Sequence, residues 1–226
     1  MYVPAPPAQP AIGWEGVGAA SSAIARELPR VGWPANTTTT TTASVAVRSS
    51  TLNVLESHPV TVVGKLGVRH AVAGLAGRMV TLQALRGHGW NTVAIARTGA
   101  RGTFRLRFTP RRIGTERVRV RFSGEQYLLG AKRELGRLNV YRSVEASWYG
   151  GGGSLACGGS LTSGTAGVAS RTLPCGTLVT LRFEGRSVRV PVVDRGPFVP
   201  GREFDLTEAT KRALGFGDTG ALWSTR

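Results

Sequence analysis

The stretch VPVVDRGPFVPGREFDL, residues 190–206, decides how this chain is read. Apolar residues alternate up to Asp194, an Arg-Gly-Pro corner turns the chain, and a second acid, Asp205, follows eleven residues later. Alternation of this kind describes a strand with one face in a core, and Gly-Pro marks a turn. Just upstream, TLVTLRF (177–183) and SVRVPVVD (187–194) flank Glu-Gly-Arg, the pattern of a β-hairpin. Just downstream, DLTEATKRALGF (205–216) has the marks of a helix: Asp205 or Thr207 to cap it, Glu208 in the first turn, Lys211 and Arg212 late, and Gly215 to end it. Asp205 is therefore read as a structural N-cap, a task worth about 1 kcal/mol. Asp194 stands apart, at a strand end with Arg195 beside it.

Working outward, residues 143–226 read as short strands with glycine corners and one helix. The preceding segment, 44–142, has a period of two. TFRLRF (103–108) and RVRVRF (117–122) alternate apolar residues with arginine, and MVTLQAL with NTVAIAR brackets a glycine-bearing loop. Six or seven such strands predict an antiparallel β-sandwich that resembles the immunoglobulin-like modules of bacterial surface proteins. Residues 1–43, rich in Pro, Ala, Gly and Thr, are read as a disordered linker. The expected fold class is all-β: an immunoglobulin-like sandwich, then a second β domain with a short helix.

The net charge of +16 is unevenly distributed, with 18 Lys and Arg against 4 Asp and Glu in 44–142, but 9 against 7 in 143–226. The outward arginines either keep alternate strand positions soluble or form a face for anionic cell-wall polymers. Nucleic acid is the weaker partner, because no stacking platform or recognition helix accompanies the charge. No apolar run is long enough for a transmembrane segment. The N-terminus lacks a basic region followed by an apolar core, so no signal peptide is read, and the expected true start lies upstream.

Cys157 and Cys175, the two cysteines, leave three readings open: a disulfide, a metal half-site or two inert thiols. All three histidines lie elsewhere (His58, His70, His88) and no CxxC spacing occurs, which weighs against metal. No cofactor motif is found.

ASWYG (146–150), TLPCGT (172–177), VPVVDRGPF (190–198) and GREFDLTEATKRALGF (201–216) together resemble the double-psi β-barrel of rare-lipoprotein-A (RlpA)-like proteins. ACGG with LPCG is similar to the actinobacterial-type branch, a resemblance that implies a Cys157–Cys175 disulfide and hence an extracytoplasmic, cell-envelope or secreted setting. It also implies peptidoglycan glycan strands as partner and lytic transglycosylase chemistry, in which one carboxyl group makes both proton transfers. Asp194 matches the family's aspartate and is the expected catalytic group. Tyr149, Ser170 and Arg195 are the expected substrate-binding residues, with Tyr149 preferred over Trp148 as the groove aromatic. Two positions depart from the family pattern: Gly159 stands where a glutamate is expected and Ser170 where a histidine is. These departures imply weakened catalysis or a non-catalytic peptidoglycan-binding module.

Overall fold

A computed structural model of the chain describes residues 40–68 and 75–226. The stretch read as linker, 1–43, lies outside the described residues except for its last four, and Thr41–Ala43 already belong to a strand. His70 also lies outside them.

In chain order the strands are β1 (Thr41–Ser50), β2 (Asn53–Leu55), β3 (Val60–Val68), β4 (Met79–Arg86), β5 (Gly89–Arg97), β6 (Thr103–Phe108), β7 (Gly114–Glu125) and β8 (Leu128–Tyr149). They continue with β9 (Val168–Ala169), β10 (Leu178–Phe183), β11 (Arg186–Asp194), β12 (Phe204–Thr207), the helix α1 (Glu208–Leu214) and β13 (Thr219–Ser224).

The first seven strands and the first half of β8 form a sandwich. One layer runs β5-β4-β7-β8 with β2 on the far side of β8, and the other runs β1-β3-β6. The alternating pattern puts Phe104, Leu106, Val118, Val120 and Phe122 in the interior, while Arg105, Arg107, Arg117 and Arg121 stay exposed. Val62, Leu82, Leu106 and Leu138 belong to a single core cluster, the side chains that two facing sheets must bury.

The second half of β8 enters a different sheet. β8 pairs with β13, β13 with β10, β10 with β11, β11 with β9 and β9 with β12, and β12 pairs back with β8, closing a six-stranded barrel. Its separate core holds Val168, Val179, Leu181, Val192, Phe204, Leu206, Leu214 and Leu222. Sandwich and barrel thus share one 22-residue strand, and the boundary expected at 142/143 falls inside it. Tyr141, fully buried at this junction, packs against Trp223 and donates its hydroxyl proton to Asn53 Oδ1 at 2.9 Å.

The expected hairpins form. β4 and β5 turn at Gly87–His88, with Gly87 at positive φ, and β10 and β11 turn at Glu184–Gly185, both residues at positive φ. α1 ends, as read, at Gly215 in the left-handed region. Its start falls at the second of the two caps read, not at Asp205. Thr207 occupies the N-cap position, and Asp205 lies within β12. Pairing of Phe204–Thr207 with Ala146–Tyr149 holds those residues extended, so the helix cannot begin until Glu208.

Candidate functional site

The barrel brings a row of residues together across four strands. Asp194 on β11 and Asp205 on β12 both pair with Ala169 of the short central β9, and Asp205 pairs in turn with Ser147 on β8. Cross-strand partners share a face. Ala169 therefore lies between the two carboxylate-bearing positions. Gly196 covers it: a Cβ there would lie 3.7 Å from Ala169 Cβ and 3.9 Å from Asp205 Oδ2, and the backbone φ of 135° disfavours any other residue. The Gly196–Pro197 peptide is cis.

Asp194 is half-buried. Its Oδ1 accepts hydrogen bonds from the backbone N–H of Ala156 (2.8 Å) and of Arg195 (2.9 Å). No backbone amide donates to its Oδ2, and the Tyr149 phenol approaches the carboxylate. The loop supplying Ala156 is fastened by the Cys157–Cys175 disulfide, whose Cα atoms are 5.5 Å apart, and by Cys157 N–H donating to Val193 O. The second cysteine loop is fastened by Gly176 N–H donating to Val192 O.

Two expected substrate-binding residues turn out to be engaged otherwise. Arg195 directs its guanidinium not to the Asp194 carboxylate but to the carbonyls of Ser170 and Leu173 (both 3.1 Å) and of Asp194 (3.4 Å), and to Cys175 Sγ (3.0 Å). It positions the second cysteine loop, because a five-donor fork satisfies several loop carbonyls at once. Ser170 is 2% exposed, and its hydroxyl accepts from Leu173 N–H, so a ligand at the surface cannot reach it.

The two aromatics of β8 face different ways. Trp148 faces outward, with Lys211 Nζ 3.7 Å from its ring centroid and its Nε1 donating to Asp218 Oδ1 at 2.9 Å. Tyr149 faces the acids. Its hydroxyl is buried and meets no described partner in full hydrogen-bond geometry. Burial first, then the charge of Asp194 and a hydrogen-bonding approach to that carboxylate, then the charge of Asp205, hold the phenol well above its ordinary value of 10.0. It stays protonated, a donor waiting beside two acceptors.

Residues 141–222 match the family model described as lytic transglycolase. That span includes the barrel strands, both acids and the disulfide. Residues 141–222 are an RlpA-like double-psi β-barrel domain. The chain is similar to the probable endolytic peptidoglycan transglycosylase RlpA of Aquifex aeolicus (strain VF5), with 38% identity over 107 residues, 45% of this chain and 47% of that protein. It is 42% identical over 80 residues to the probable RlpA enzyme of Synechocystis sp. (33% of this chain, 25% of that protein). It is 37% identical over 83 residues to the RlpA of Rickettsia bellii (33% and 37%). The chain thus spans less than half the length of these curated relatives. Among solved structures it is similar to a Streptomyces papain inhibitor, at TM-score 0.31 and 22% identity over 38% of this chain and 94% of that one.

Sequence reasoning missed two features of the RlpA-like site. Asp205 belongs to the acid row, where Oδ1 accepts from Ser147 Oγ. A four-residue strand that runs straight into a helix carries no readable period, so the cap reading took precedence. Phe198, directly after the cis Gly-Pro corner, is 80% exposed and offers an aromatic face at the lip. A cleft of about 340 Å³, lined by Arg171, Thr172 and Gly201–Glu203, opens in the loops flanking that corner. Among the described residues no cluster of three His, Cys, Asp or Glu side chains is placed to hold a metal ion.

Proposed function

We propose that the RlpA-like barrel engages glycan strands of peptidoglycan at the Asp194 lip, outside the cytoplasm, and cleaves them slowly as a lytic transglycosylase. One observation carries the reading. Asp194 is gripped through one carboxylate oxygen by two backbone amides, which leave the other oxygen unengaged by the backbone, beside a phenol that remains protonated. Such a carboxyl group is fixed in place with one oxygen left for a ligand. As an acid it delivers its proton to the glycosidic oxygen while the C1–O bond breaks. The muramyl C6 hydroxyl then closes on C1, and the carboxylate takes that hydroxyl's proton, leaving a 1,6-anhydro end without consuming water. Tyr149 keeps a protonated phenol beside the acid, and Phe198 supplies a face on which a sugar ring can stack. The disulfide supports an extracytoplasmic setting.

A second reading, binding without cleavage, is favoured by Gly159 and Ser170. Gly159 has no side chain to contribute, and Ser170 is sealed beneath the lip. Neither can relay a proton, so the acid works without a titratable partner at these positions.

Incubating the chain with purified peptidoglycan and quantifying 1,6-anhydromuramyl products separates the two. Asp194→Asn keeps an oxygen to accept from both amides, so it folds normally and lowers product formation by about 10²–10⁴-fold. Cosedimentation with sacculi and no product from the wild-type chain would reject the enzyme and keep the binder. Products that persist in Asp194→Asn would remove Asp194 from the chemistry.

A further inference from the structure

A second site lies away from the acid row, in a cleft of about 420 Å³ between sandwich and barrel. Its walls come from the end of β4, from β7 and β8 on the sandwich side, and from β10, β11 and Thr225–Arg226 on the barrel side. Six arginines line it (Arg86, Arg112, Arg117, Arg137, Arg189 and Arg226) against a single acid, Glu116. Glu116 is already committed to Arg86 Nε, at 3.0 and 3.2 Å. Arg112, Arg137 and Arg189 have no carboxylate partner among the described residues. Arg117 reaches Glu134 only at 3.8 Å, and it pairs directly across the β7–β8 ladder with Arg137. Like charges placed opposite one another destabilise a sheet, and an anion between them would reverse the sign of that term.

From this we infer that the inter-domain cleft is a binding site for an anionic polymer of the cell envelope, one that carries phosphodiester or carboxylate groups. Guanidinium forks match the oxygens of either group bidentately. The volume lies in the range of ligand sites, and three guanidiniums without a carboxylate partner (Arg112, Arg137 and Arg189), on separate segments, exceed what a single small anion can occupy, so the fit is to repeated charges along a chain. No aromatic side chain lines the cleft, so it offers nothing for nucleobases to stack on, which separates this site from one built for nucleic acid. The inference does not depend on whether the barrel cleaves glycan. Its consequence is anchorage: the cleft would hold the chain on an acidic polymer while the barrel's lip, on other loops, remains accessible.

The test uses the full chain and fluorescence anisotropy with three labelled probes matched in charge number: poly(glycerol phosphate), polyglucuronate and single-stranded DNA. The variant Arg112→Ala/Arg137→Ala/Arg189→Ala removes three cleft cations. A control, Arg105→Ala/Arg107→Ala/Arg133→Ala, removes three exposed cations that do not line the cleft. Both keep the same net charge, and thermal melts within about 2 °C of wild type certify folding. At low salt the cleft variant should bind poly(glycerol phosphate) or polyglucuronate at least ~30-fold more weakly. Its log–log salt slope should shrink by about 2, while the control changes by less than ~3-fold. The tighter of the two polymers identifies the anion. Equal losses in both variants would mean diffuse charge and overturn the site. So would an absence of binding to either polymer, or tighter binding of DNA than of both.

Discussion

Replacing Cys157 and Cys175 together by serine opens a loop of 18 residues. The chain-entropy relation assigns such a loop about 3 kcal/mol, through the extra freedom gained by the unfolded chain. In the folded barrel the same bond ties two loops that converge on Asp194. One carries Ala156, which donates to Oδ1 at 2.8 Å, and the other is fastened by Gly176 and by the guanidinium of Arg195. The double variant should therefore lose stability and, separately, loosen the acid. Urea titration followed by tryptophan fluorescence should show the midpoint falling by about 1–3 M, for slopes of about 1–3 kcal/mol per molar. Dithiothreitol should bring the wild type to the same midpoint and leave the variant unchanged. Product formation from peptidoglycan, assayed well below the unfolding transition, should also fall. An unchanged midpoint would refute the loop-closure argument. A lowered midpoint with undiminished product would refute the claim that the tied loops position Asp194.

Three further outcomes follow from the same geometry. Tyr149→Phe removes a buried hydroxyl without a formed partner, so below pH about 10 its stability should equal or exceed that of the wild type. The folded protein holds the phenolic proton more tightly than the unfolded chain does. The wild type should therefore lose stability more steeply than Tyr149→Phe as pH rises above about 10, which urea titrations from pH 8 to 11 would show. Gly167→Ala would drive a Cβ into the Val193 side chain, beside the buried Thr207 and Thr210 hydroxyls that Gly167 N–H engages, and should cost about 1–3 kcal/mol by denaturant titration. Phe198→Ala should leave stability within about 0.5 kcal/mol, because the ring is exposed, yet weaken cosedimentation with sacculi several-fold; unchanged sedimentation would remove Phe198 from the glycan surface.

The sequence by itself determined whatever depends on neighbours within a few residues. Arginine alternating with Phe, Val and Leu fixed which faces of β6 and β7 are buried, because a strand's period of two is local. The hairpin at Glu184–Gly185 and the helix stop at Gly215 were legible for the same reason, since turn and cap chemistry acts over a few bonds. The corner at Asp194 and the cysteine pair were visible as motifs. Tertiary structure alone decided what depends on distant register. Phe204–Thr207 pairs in parallel with Ala146–Tyr149, a segment 58 residues earlier, and that pairing closes the barrel. The same pairing moves Asp205 from a helix cap into the acid row and turns Tyr149, rather than Trp148, toward the carboxylates. Arg195 and Ser170 look available in a linear reading, yet the folded loops engage one and bury the other. The arginine cleft draws on segments from Leu85 to Arg226, so no local pattern could announce it. Local propensity acts through bonds and short turns. A site, by contrast, is set by which strands pair and in what register, and that is settled only when two cores close around one shared strand.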